Sequence, residues 1–245
     1  MRFLLIALLF STSLAHAASP KAEAFAPLFE LAGIRLLCEQ SAPLVQRGLS
    51  DKQQAQLAKV FAADGLCLDL AKKLTGKLDQ AQLVQAKSLL ESPLAQGFTA
   101  AERSVGEGGA EGLTAYRTQL VDRPPREERL ALVRRLDAAA HTTTLATLLR
   151  YEVGKTQAFL ALQGRGESID EKALSTQTKA QEDALRASSA QAVESFMLYA
   201  YRQMPSEKLA EYAALYEQPA VAQLLDSSVQ VLPELFAARR AQLKK

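Results

Sequence analysis

Apolar residues recur every three or four positions along most of the chain. Phe25, Leu28, Phe29, Ala32 and Leu36 form one such stripe near the start, and Val221, Leu224, Leu225 and Val229 form another near the end. This is the spacing of an amphipathic helix. No window alternates apolar and polar residues as a half-buried strand does, and Ala, Leu, Gln, Glu, Lys and Arg, all good helix formers, dominate. The expected fold class is all-α: antiparallel helical hairpins packed as a multi-helix bundle.

Punctuation between the stripes predicts the elements. A first helix starts near Ser19-Pro20 or after Pro27 and runs to about Leu49, with Pro43 kinking or breaking it. Ser50–Gln53 reads as a capping box opening a helix that ends near Asp64-Gly65, and a short helix follows to about Leu74. Asp79 caps a helix that reaches Ser92-Pro93. The glycine-rich stretch Val105–Gly112 and the stretch Val121–Glu128 are the clearest breaks. In the second, Pro125 suits a helix start, and Glu127 and Glu128 suit the positive end of the helix dipole. A helical stretch then runs toward Gln163, interrupted near Thr142–Thr144, and Gly164–Ser168 is a loop. A second capping box at Ser168–Glu171 opens a long helix to about Gln203, whose polar middle is solvent-facing or irregular. Met204-Pro205 restarts the chain, and the last helix finishes on Arg239, Arg240, Lys244 and Lys245, ordinary complements of a helix C-terminus.

One phrase occurs twice. "LLESPLAQGF" (89–98) and "LYEQPAVAQL" (215–224) overlay so that Leu89 meets Leu215, Glu91 meets Glu217 and Pro93 meets Pro219, 126 residues on. Extending the overlay pairs Leu83 with Leu209, Leu90 with Tyr216 and Phe98 with Leu224. Each copy reads as a helical hairpin with one apolar face, which must bury that face against another. Ser92 is a good cap before Pro93, so the first copy turns a sharp corner. Gln218 caps poorly, so Pro219 is expected only to kink a continuous helix. The pairing suggests a pseudo-repeat with halves 18–109 and 110–245 within a single helical domain.

The ends and the composition place the protein. Arg2, the apolar run Phe3–Phe10 and Ala15-His16-Ala17 form the pattern of a secretory signal peptide over residues 1–17. The run is too short to span a bilayer, so the expectation is a soluble, exported, periplasmic protein without a membrane span. With 29 basic against 27 acidic side chains, the chain has no excess charge that would point to nucleic acid. The two cysteines, Cys38 and Cys67, are expected to form one bridge in an oxidising compartment. The turn at Ser50 is expected to lay their helices antiparallel.

The stretch "MLYAYRQMPSEKLAEYAALYEQPAVAQL" resembles the signature of a bacterial exported family, the domain of unknown function numbered two thousand and fifty-nine. That signature is a helix ending in aromatics, a capped start with Glu and Leu, then Leu-Tyr/Phe, x-x-Pro and an apolar tail. Tyr199, Tyr201, Ser206, Glu207, Leu209, Leu215, Tyr216 and Pro219 hold these places, while Gln218 and Ala222 depart from the usual Ser and Gly. The resemblance covers about 197–225. It implies a helical, secreted protein and brings no catalytic residue.

Chemistry is sparse. One histidine outside the leader, His141, and two distant cysteines do not make a metal site, and no HExxH, CxxC, GxSxG or Walker sequence is present. Neither a metal nor a cofactor is expected. Asp137 and His141 share a helix face beside Thr142–Thr144, the nearest approach to a nucleophilic triad, but a surface ion pair or a capped break is the stronger reading of them. Arg117, Arg123, Arg126, Arg129, Arg134 and Arg135 crowd one stretch that reads either as a binding surface or as a solvated face. Phe196, Tyr199, Tyr201, Tyr212 and Tyr216 read as core or as the lining of a groove with hydroxyls at its rim.

The function expected is binding without catalysis. An envelope protein–protein module comes first, with Tyr199, Tyr201, Leu209, Leu215, Tyr216 and Pro219 as a candidate groove. A carrier of an apolar small molecule or lipid comes second, and a hydrolase built on Asp137 and His141 third.

Overall fold

Helices stop where the backbone leaves the right-handed region, as at Gly33, His141 and Gln218. The computed structural model describes residues 19–107 and 110–244; the signal-peptide stretch and part of the glycine break lie outside them. After a 3₁₀ turn at Ala22–Phe25 come α1 (Ala26–Leu31), α2 (Ile34–Val45), α3 (Asp51–Val60), α4 (Ala63–Leu74), α5 (Gln80–Leu90) and α6 (Pro93–Glu107). Then come α7 (Ala110–Asp122), α8 (Glu127–Ala140), α9 (Thr142–Gly164), α10 (Glu171–Thr178), a 3₁₀ turn at Lys179–Gln181, α11 (Glu182–Ala200), α12 (Ser206–Tyr216) and α13 (Pro219–Ala241). No strand occurs among the described residues. The all-α multi-helix expectation holds.

The first break is at Gly33, not Pro43. Gly33 takes φ 72°, a left-handed conformation that glycine adopts freely, whereas Pro43 sits two residues before the end of α2 and removes one bond from its last turn. The box at Ser50 forms, with Gln53 Oε1 accepting from the Ser50 amide at 3.2 Å, but α3 ends at Phe61. Asp64 and Gly65 lie inside α4, with Gly65 beside the Arg239 guanidinium. Asp79 caps α5 through the Gln82 amide at 2.8 Å.

The break between α8 and α9 falls on His141, the one non-glycine described residue with positive φ, at 54°. Asp137 makes it work: its two oxygens accept from the Thr143 amide and hydroxyl, both at 2.7 Å. The helix after Val121–Glu128 begins past Arg126, two residues later than Pro125 suggested. Asp170 rather than Ser168 caps α10, accepting from the Ala173 amide at 2.7 Å. The polar middle of the expected long helix is interrupted by the 3₁₀ turn at Lys179–Gln181.

Both copies of the repeated phrase are full corners. Pro93 opens α6 and Pro219 opens α13, while Glu91 and Glu217 each terminate the preceding helix. Gln218 was expected to let the helix continue. It is instead extended, at φ −62° and ψ 136°, the region that a following proline favours over the helical one. Its amide side chain turns back to the Ala214 carbonyl at 3.2 Å. Leu83, Leu90, Phe98, Leu209, Tyr216 and Leu224 are all buried, and Leu89 is half-buried where Leu215 is buried.

One hydrophobic cluster runs from Phe25 to Leu243 and takes side chains from both halves. α13 packs against α4, α5 and α9; α12 lies on α8; α11 lies along α9. Cys38 and Cys67 join α2 to α4 in a disulfide, with Cα atoms 6.1 Å apart. Arg35 Nη1 reaches Asp64 at 2.6 Å with the same sequence separation of 29 as the disulfide. That shared offset is the register of helices running in the same direction, not antiparallel, because α3 returns the chain between them. A cross-link over a loop of this size stabilises by about 3–4 kcal/mol on the chain-entropy argument.

Within the basic finish of the chain Lys244 is exposed, but Arg240 is not a surface residue. Arg240 is 1% exposed and lies among α9 and α10. Its Nε donates to Glu171 Oε2 at 3.0 Å and its Nη2 to Glu171 Oε1 at 2.6 Å. Nη1 donates to the Glu152 carbonyl at 3.3 Å and to the Thr156 hydroxyl at 3.2 Å. Glu152 Oε2 stands 2.7 Å from Nη2 as an ion pair, without hydrogen-bond alignment. Lys155 completes the set, 2.8 Å from Glu171 and 3.4 Å from Glu152. Two cations and two carboxylates thus close a neutral cluster. Burial pushes the Glu171 carboxyl up, but hydrogen bonds from Arg240 and Lys155 outweigh it and hold the group below the usual range.

Removing one partner from such a cluster leaves a buried charge uncompensated. Arg240→Met is expected to cost about 3–5 kcal/mol in urea denaturation. Glu171 gives the pH dependence. Its folded value lies below its unfolded one, about 4.3, so its stabilisation is complete above that pH and is lost as pH falls through the folded value. Glu171→Gln is therefore expected to lower the urea midpoint at neutral pH and to make it fall less steeply on acidification.

Candidate functional site: a groove between two helices

The aromatic residues singled out in the sequence pack inward. Phe98 from α6 stacks on Tyr212 with ring centroids 4.1 Å apart and meets Tyr201 edge-on at 5.0 Å. Tyr212 and Tyr216 meet edge-on at 5.2 Å, with their hydroxyls 3.3 Å apart. The Tyr201 hydroxyl donates to the Glu102 carboxyl on α6. Burial raises the Glu102 carboxyl, against the lowering effect of the Tyr201 bond, and burial pushes Tyr216 up to about 12. Arg129 Nη2 closes the layer on the Tyr201 carbonyl at 2.5 Å.

The hairpin around Leu209, Leu215, Tyr216 and Pro219 is therefore not an open groove. Leu209 is fully buried, Leu215 is 7% exposed and Tyr216 is 9% exposed, and the hydroxyls face the interior instead of a rim. Pro219 is exposed at its corner, and Tyr199 is half-buried. Glu102 was missed in the sequence because its partner, Tyr201, lies 99 residues away.

Asp137 and His141 do not face each other across a reacting space. Asp137 is engaged by Thr143, and His141 Nε2 meets Asp226 Oδ1 on α13 at 2.7 Å. The break is capped, as one of the two bland expectations had it. Among the described residues no group of three or more His, Cys, Asp or Glu is placed to hold a metal ion.

The arginine-rich stretch is largely tied into the fold. Arg134 Nε meets Glu194 at 2.9 Å, and Arg135 forks onto Glu217 at 2.7 and 2.6 Å. That fork, first through its hydrogen bond, holds the Glu217 carboxyl below the usual range. Arg117 Nε donates to the buried Ser195 hydroxyl at 2.9 Å. Arg123 and Arg126 remain exposed on the loop after α7.

The opening in this surface lies beside α7. Gly112 lets α7 approach α11: a Cβ there would collide with the Tyr199 hydroxyl and stand 3.2 Å from its ring. Tyr199 in turn packs on Tyr116, with centroids 5.3 Å apart, and under Arg202 at 4.0 Å. Beyond this anchor the helices diverge around a groove of about 520 Å³. Leu120, Val121, Ala192 and Leu198 supply its apolar lining; Arg117, Ser188, Gln191, Glu194 and Ser195 supply the polar one. No described side chain of α7 is buried, and Val121 is 82% exposed. The apolar side of α7 is thus only half covered. A sequence trace existed in Leu120-Val121, which end an apolar stripe next to a proline break, but the facing residues come from α11.

Comparison with protein-family models, with curated proteins and with solved structures gave no match to the chain.

The Glu102 environment is testable through linkage. Its folded carboxyl titrates above the unfolded value, about 4.3, so part of the stability present below that pH is lost as pH rises through the folded value. Glu102→Gln keeps an acceptor for Tyr201 and removes the titration. Relative to the parent, its urea midpoint is expected to rise on going from pH 4 to pH 8; an unchanged difference between the two proteins contradicts the assignment.

Proposed function

We propose that this protein is an exported, non-enzymatic helical binding protein of the bacterial envelope, and that it engages another protein through the groove between α7 and α11. The observation that carries the reading is the half-covered apolar side of α7, where Leu120 is half-buried and Val121 is exposed. Exposed aliphatic residues such as Val121, next to a groove in an otherwise well-packed bundle, suit an interaction site. An open groove between two helices suits the helix-in-groove mode of peptide recognition.

The periplasm is the proposed location. The signal-like pattern at residues 1–17 supports it, and the Cys38–Cys67 disulfide fits an oxidising compartment. No described helix is long and apolar enough to cross a membrane. The resemblance of 197–225 to the exported family of unknown function points the same way, and in this reading its residues serve as packing for the bundle.

A carrier of an apolar ligand is the second reading, favoured by a volume within the roughly 300–1,000 Å³ of small-molecule sites. Native mass spectrometry of the protein isolated from periplasm separates the two. A retained polypeptide is expected; a retained small mass supports the carrier. Val121→Glu is expected to abolish retention while changing stability by less than about 0.5 kcal/mol, as befits an exposed position. Retention that survives Val121→Glu contradicts the assignment to this groove.

A further inference from the structure

We infer that the segment seated in this groove is an amphipathic, acidic peptide helix whose carboxylate pairs with Arg117. The inference rests on the protein-binding reading above and adds the partner's chemistry.

Charge complementarity carries it. The lining holds one cation and one anion, Arg117 and Glu194. Glu194 is already neutralised by Arg134 at 2.9 Å. Arg117 bonds through Nε to a neutral hydroxyl, that of Ser195, and no carboxylate of the described residues pairs with it. Ser195 is itself fixed, donating to the Ala192 carbonyl at 3.0 Å. The guanidinium is thus held against the groove wall with both terminal nitrogens uncommitted, the arrangement that accepts a carboxylate through two parallel bonds.

Shape agrees. The α11 wall from Ser188 to Leu198 extends for about 15 Å, room for two to three turns of a partner helix. Leu120, Val121, Ala192 and Leu198 give that helix an aliphatic seat. Aliphatic side chains at i, i+3, i+4 and i+7 with Glu along one edge match both features.

The test is fluorescence anisotropy with three labelled, helix-forming peptides of about 16 residues, long enough to cover that wall. All carry Leu at those spacings; their edges carry Glu, Gln or Lys. Dodecanoate serves as competitor. The Glu peptide is expected to bind about tenfold or more tightly than the Lys peptide, and to weaken about tenfold or more with Arg117→Gln, with helical circular dichroism unchanged; about tenfold corresponds to one charge-assisted pair. Arg117→Lys is expected to recover part of the affinity. Equal binding of all three peptides, lost in Val121→Glu, overturns the acidic preference and leaves the protein-binding reading standing. Binding of dodecanoate without any peptide overturns the inference in favour of the carrier. No binding by any probe overturns the partner chemistry, while native mass spectrometry decides separately whether a protein is retained.

Discussion

Arg240 is a guanidinium almost without access to water, and much of the second half of the chain is arranged to compensate it. A buried ion costs several kcal/mol unless its neighbours restore what water supplied. Glu152 and Thr156 come from α9, Glu171 from the first turn of α10, and Lys155 balances the second carboxylate. The four charges tie α9, α10 and α13 together. α10 passes through a single 3₁₀ turn into α11, and α11 lies along α9 and forms one wall of the groove.

The rest of the bundle is built from corners that bury apolar faces. The Pro93 and Pro219 hairpins do the same work at two places, each delivering leucines and aromatics to one cluster. The carboxylate–tyrosine layer joins the two, with Glu102 from α6, Tyr201 from the end of α11, and Tyr212 and Tyr216 from α12 bonded to each other inside the protein. α7 differs from every helix around it. It is anchored at one end by Gly112 against Tyr199, has no buried described side chain, and ends on an exposed valine. Binding surfaces need apolar area that the fold itself has not used, and α7 keeps some.

Much of the architecture was legible because it rests on local chemistry. The box at Ser50, the cap at Asp79, the Pro93 corner, the acidic start of α8 and the helical class depend on residues within four positions of each other. The errors share one cause, a local rule outweighed by another force. Gln218 was read by its capping ability, when the proline after it favours extended backbone. Pro43 was read as a breaker, when Gly33 had the freer φ. The basic tail was read as a dipole complement, when Arg240 had carboxylate partners 69 and 88 residues away. The aromatic hairpin was open to two readings, core or the lining of a groove, and burial decided for core. The groove between α7 and α11 is built from residues that are unremarkable singly.

Site-specific photo-crosslinking in intact cells tests this account most directly. A photoreactive amino acid is placed at Val121, in the groove, or at Pro219, the exposed corner of the aromatic hairpin. The account predicts a discrete crosslinked polypeptide from position 121 and none from position 219. A crosslink from 219 with none from 121 would contradict it and return function to the hairpin.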